Sequence, residues 1–119
     1  MPSMRGLTIL IATADSARFH AALSLAAAQA ALGGRARLHL QGEAVALLSH
    51  SEPDGHDAQG LPTIAELRGE AVALGVELTV CQSGLVLAQA DLADLPGSIQ
   101  ASGLIELLTG LGDDRLLVF

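Results

Sequence analysis

The 119-residue chain has no lysine, tryptophan or tyrosine, only two phenylalanines, and a single cysteine. Six arginines face 13 acids, giving a net charge of −7 and a pI near 4.7. No basic run exists to neutralise phosphates, which excludes nucleic acid as a ligand. One cysteine forms no intramolecular disulfide, and without a Cys-x-x-Cys pair a dithiol cycle within one chain is excluded. Met1 to Gly6 leads straight into a strand-like run with no long apolar h-region, so no secretion signal is read and a reducing cytoplasm is expected. Long hydrophobic runs are also missing. Leu7 to Ala14 and Ala21 to Leu32 each stop well short of the ~20 residues that span a bilayer, so no membrane is expected as partner.

What the chain does have is apolar surface. Half of its residues are apolar before the 13 glycines are counted, whereas globular chains reach about 45–50% with glycine included. The length suits one domain over 1–119, well above the ~40 residues below which a core needs staples. With so few aromatics, that core must be built from Leu, Val, Ile and Ala. The remaining apolar excess points to a subunit interface and hence a homo-oligomer.

Periodicity places the elements. Arg5 to Thr13 is a continuous apolar run, as in a strand covered on both faces. Asp15 or Ser16 caps a helix in which Phe19, Ala22, Leu23, Ala26, Ala27 and Ala30 form one stripe, stopped by Gly33-Gly34. Leu25 and Leu32 lie off that stripe as a second apolar patch. Arg35 to Leu40 alternates, predicting a second strand with Arg35, Arg37 and His39 on a wet or interfacial face. Glu43 to Ser49 reads as a short helical turn and His50 to Gly60 as a mobile polar loop. Leu61-Pro62-Thr63 opens a helix through Leu74, ended by Gly75, and a strand follows from Val76 to Val80. Cys81 to Gly84 is expected as a turn, Leu85 to Ala90 as a short helix, Gly97 to Ala101 as strand four, Ser102 to Leu111 as a helix and Arg115 to Phe119 as the last strand. This alternation predicts a single-domain, three-layer α/β fold of about five mostly parallel strands with helices on both faces.

In such sheets, chemistry gathers at the carboxyl ends of the strands. Thr13 and Asp15 follow the first strand, Gln41 and Gly42 the second, Cys81 to Ser83 the third, and Ser102 and Gly103 the fourth. Cys81 is the one reactive nucleophile among them. A thiol at a strand-to-helix junction meets free backbone N–H groups that stabilise its thiolate. The competing view is an inert, buried small residue. A cysteine hydrolase needs an imidazole partner, for which His39 is the one histidine near a strand's carboxyl end. His50, Asp54, His56 and Asp57 match no closed metal site and read as solvated loop, so no metal is expected. The glycines of Gly110 to Gly112 follow no strand and read as helix stops.

The run GVELTVCQSGL (Gly75 to Leu85), with ASGLIELL (Ala101 to Leu108), DDRLLVF (Asp113 to Phe119) and LHLQGEAVALL (Leu38 to Leu48), resembles the DsrE/DsrF-like family of small sulfur-relay proteins. The resemblance implies a flavodoxin-like arrangement assembled as trimers or hexamers. It also implies that Cys81 carries sulfur as a persulfide between donor and acceptor proteins, without a cofactor. In that role Gln82, Ser83 and Gly84 are the candidate anion- or persulfide-stabilising groups, and Thr13, Asp15, His39, Gln41, Ser102 and Gly103 the candidate cleft. Two alternatives remain open at this stage: a non-catalytic oligomeric protein binding a small ligand or another protein, and a thiol redox sensor.

Overall fold

A computed structural model describes residues 4–49, 60–95 and 98–119. The candidate metal-ligand loop of His50, Asp54, His56 and Asp57 lies outside them. The strands are β1 (Leu7–Ile11), β2 (Ala36–Leu40), β3 (Glu77–Val80), β4 (Gln100–Ala101) and β5 (Arg115–Val118). They form one parallel sheet in the order β4-β3-β2-β1-β5. The helices are α1 (Ser16–Ala31), α2 (Ala46–Ser49), α3 (Ile64–Ala73), α4 (Gln82–Leu87) and α5 (Leu104–Thr109), and a 3-10 turn at Gly42–Val45 precedes α2. Fold class and strand count agree with the expectation from sequence.

Local chemistry accounts for the boundaries. Asp15 accepts the Arg18 N–H to cap α1, and Thr63 accepts the Glu66 N–H to cap α3. Each cap satisfies a backbone donor that the helix itself cannot. After the two longest helices the chain reverses at Gly33 and Gly75, whose φ angles of 88° and 101° favour glycine.

Side-chain alternation divides the sheet into two unequal faces. Leu7, Ile9 and Ile11 of β1, with Ala36, Leu38 and Leu40 of β2 and Leu78 and Val80 of β3, bury against α1 and α3 as the main core. That core is aliphatic apart from Phe19 and Cys81. The opposite face carries Thr8, Arg37, His39 and Thr79 and is crossed by α5, whose Leu107 carbonyl accepts from Arg37 Nη2 at 3.4 Å. The topology dictates this imbalance. Steps from β1 to β4 all run one way, so their right-handed crossovers stack on one side, and only the return from β4 to β5 reaches the other.

Three expectations need correction. The side expected to be wet or interfacial is wet only in part: Arg35 is half exposed, but His39 and its neighbour Thr8 are fully buried, their polar atoms satisfied by hydrogen bonds to Thr79, Gln41, Asp114 and Arg37. Among the described residues strand four is confined to Gln100–Ala101, and Gly97, where it was expected to begin, lies outside them. The residues Gln82 to Gly84 form the first turn of α4 instead of a turn before it, because Cys81 supplies the N-cap.

At the amino ends of the central strands, Asp114 ties three elements together. It accepts from Thr8 Oγ1 at 2.7 Å, pairs with Arg35 at 2.7 Å and faces Arg37 Nη2 at 3.7 Å. Its burial pushes the carboxyl up, but the Arg35 and Thr8 hydrogen bonds with the two arginine charges hold it below the ordinary carboxylate range.

Candidate functional site

Cys81 ends β3 and caps α4. Its Sγ accepts the Gly84 N–H at 3.1 Å, as a cap should. It also accepts the Gly42 N–H at 3.0 Å from the turn after β2 and lies 3.5 Å from Ser83 Oγ. Burial alone pushes the thiol up, and Cys81 is only 5% exposed. The Ser83 hydroxyl and the backbone N–H groups of Gly42, Gly84 and Cys81 outweigh it and bring the thiol below its usual value.

Two glycines make this geometry possible for different reasons. Gly42 sits at φ 59°, a left-handed conformation that aims its N–H across the strand gap. A Cβ on Gly84 would lie 2.6 Å from the Gly42 carbonyl oxygen and 3.0 Å from Sγ. Only hydrogen at that position lets α4 approach the turn after β2.

The thiol opens on a cleft of about 480 Å³, walled by Gln41, Cys81, Gln82 and Ser83 on one side and by Ser102, Gly103 and the start of α5 on the other. Six of the sequence candidates are thus brought together here, and Gly84 stands behind them as an N–H donor to Sγ. Its fold is similar to that of YchN from E. coli. The crystal structure of that protein superimposes with a TM-score of 0.74 over 98% of this chain and 100% of that one, at 19% sequence identity. No family model matches the chain, and no curated protein matches it by sequence. The YchN-like arrangement therefore stands on the path of the backbone, and the chemistry must be argued from this chain's own residues.

Thr13 and Asp15 do not join the cleft. They follow β1, next to β5, where the strand order reverses, while the cleft opens beyond β3. Asp15 is exposed and occupied by its cap. The Thr13 hydroxyl is buried without a hydrogen-bond partner in the described residues. His39 does not pair with Cys81 either. Its Nδ1 is 2.7 Å from Thr79 Oγ1 and its Nε2 is 2.9 Å from Gln41 Oε1. Burial lowers its pKa and so favours the neutral ring, partly offset by the Gln41 contact.

Sequence reasoning missed Gly42 as a donor to the thiol and Thr79 as the partner of His39. The Gln41-Gly42 pair directly after a strand was the available signal for the first. For the second, nothing short of the β2–β3 register, which sets His39 opposite Thr79, would have sufficed. No group of three potential metal ligands occurs among the described residues. No described helix is long and apolar enough to cross a membrane.

Much apolar side-chain surface is left outside the core. Leu25 and Leu32 on α1 are exposed as expected, but the larger area is on α4, α5 and β5, where Val86, Leu87, Ile105, Leu108 and Val118 are all more than half exposed.

Proposed function

We propose that this protein carries sulfur as a persulfide on Cys81, accepting it from one protein and passing it to another in the cytoplasm. The observation that carries the proposal is the Sγ held by two backbone N–H groups beside a hydroxyl, at the wall of an open cleft. That setting favours a thiolate without a basic side chain nearby. The likeness in fold to YchN and the family resemblance of the Cys81 segment support the same reading.

The chemistry is a balanced exchange. The Cys81 thiolate attacks the terminal sulfur of a donor's persulfide, a new S–S bond forms, and the donor's own S–S bond breaks to release its thiolate. No oxidant or reductant is consumed. Discharge repeats the step with an acceptor's thiolate attacking the terminal sulfur, which returns Cys81 to a thiolate. Gly42, Gly84 and Ser83 stabilise the charge on Sγ at the beginning and end of the cycle.

The exposed apolar faces of α4, α5 and β5 support assembly of identical subunits, as trimers or hexamers. An assembly that leaves the cleft open admits the donor and acceptor. Incubation with a cysteine desulfurase and cysteine should add about 32 Da to the intact mass, and Cys81→Ser should abolish the adduct. Absence of the adduct together with resistance of native Cys81 to alkylation refutes the carrier role and leaves a non-catalytic binding protein.

A further inference from the structure

His39 is fully buried on the sheet face beneath α5, in a position where an aliphatic side chain would pack without the cost of desolvating two ring nitrogens. Both nitrogens are engaged. Gln41 Oε1 can only accept, so the His39 Nε2 carries the hydrogen, and the neutral ring then accepts the Thr79 hydroxyl at Nδ1. This chain of hydrogen bonds orients an amide. With its oxygen turned toward His39, Gln41 has its amino group left over. That group has no hydrogen-bond partner among the described residues, and Gln41 lines the Cys81 cleft.

A persulfide raises a requirement that the thiol does not. The N–H groups of Gly42 and Gly84 point at Sγ, whereas the charge of a persulfide sits on the terminal sulfur, about 2.05 Å farther out. A second donor is needed there, from a wall of the cleft. Gln41 is the neighbour of Gly42 in the chain and carries the spare N–H.

We propose that His39 is a positioning residue which, through Gln41, presents an amide N–H to the terminal sulfur of a Cys81 persulfide. The site is thereby matched to one small anionic sulfur, and a carboxylate in place of the amide would repel it. This inference rests on the carrier role and adds the group that holds the cargo.

Three variants and two readouts test it. The rate of sulfur loading is followed by intact mass at increasing desulfurase concentration. The ratio of Cys81 alkylation by iodoacetate to that by iodoacetamide reports anion recognition without any sulfur chemistry. Gln41→Glu keeps the acceptor for His39 while replacing the donor with charge, and His39→Leu removes the orienting N–H. Both should lower the maximal loading rate about 10-fold, leave the half-saturating donor concentration unchanged, and lower the iodoacetate to iodoacetamide ratio. His39→Gln, which restores an N–H near the Nε2 position, should recover most of both. A general loosening of the fold would instead change the two alkylation rates alike. Wild-type loading and an unaltered ratio in His39→Leu and Gln41→Glu overturn the inference and leave the carrier role standing. If the wild-type protein takes up no sulfur, the carrier role falls, and the alkylation ratio alone decides whether His39 and Gln41 present a donor to an anion at Cys81.

Discussion

Gly42 and Cys81, 39 residues apart in sequence, are joined by a backbone N–H donated to Sγ at 3.0 Å. The bond places the turn after β2 in direct control of the thiol at the end of β3. Gly42→Ala meets no steric obstacle, so its effect isolates the backbone. Holding alanine at φ 59° costs about 1–2 kcal/mol, which relaxation of the turn relieves by turning the N–H away from Sγ. The midpoint of Cys81 alkylation against pH should rise, and urea denaturation should show a stability loss of that order.

Removal of the Ser83 hydroxyl acts on the same thiol without the backbone. Ser83 is exposed, so Ser83→Ala should alter stability by no more than about 0.5 kcal/mol. The alkylation midpoint should still move up, since the hydroxyl is the first among the groups that lower the thiol. An unchanged midpoint would show that the backbone donors suffice.

Gly84→Ala tests the contact between α4 and the turn after β2. A Cβ there meets the Gly42 carbonyl, Val45 and Sγ, and overpacking of this kind costs about 1–3 kcal/mol. Denaturation midpoints should fall accordingly. Sulfur loading should drop as well, because the displaced helix start no longer brings its N–H to Cys81.

Asp114 gives the fold a specific response to acid. Its pKa is depressed in the folded state, so its contribution is complete above the unfolded-chain value of about 3.9. That contribution is lost as pH falls through the lower folded value. Asp114→Ala should cost about 2 kcal/mol at pH 7, because the buried Thr8 hydroxyl loses its acceptor and Arg35 and Arg37 lose their counter-charge. The gap between wild type and variant, read from urea midpoints, should begin to close as the pH falls below about 3.9. A gap that stays constant with pH would assign the loss to packing instead.

The uncovered apolar surface predicts association. Ile105 is 82% exposed on α5, and light scattering at micromolar concentration should give a mass that is a multiple of 12.1 kDa. Ile105→Arg, which places a charge in that face, should shift the mass toward a single chain while sparing the fold. A wild-type mass of one chain removes assembly from the proposed function.

The sequence by itself determined the alternation of strands and helices and put Cys81 at the end of the third strand. Those signals are local: a period of two in Arg35 to Leu40, a stripe from Phe19 to Ala30, glycines where the chain must reverse. It did not determine which side each strand face would meet. His39 looked like one of a row of polar residues on a wet or interfacial face, and its burial goes with the pairing of β2 and β3 that sets it opposite Thr79 and with the return of α5 from β4 to β5 on that side, long-range relations that no window of sequence contains. The same return decided which apolar residues stay uncovered. The thiol's partners divide the same way. Gly84 and Ser83 belong to Cys81's own turn and were legible beside it, whereas Gly42 reaches Sγ only because β2 and β3 pair in parallel and bring their carboxyl ends together.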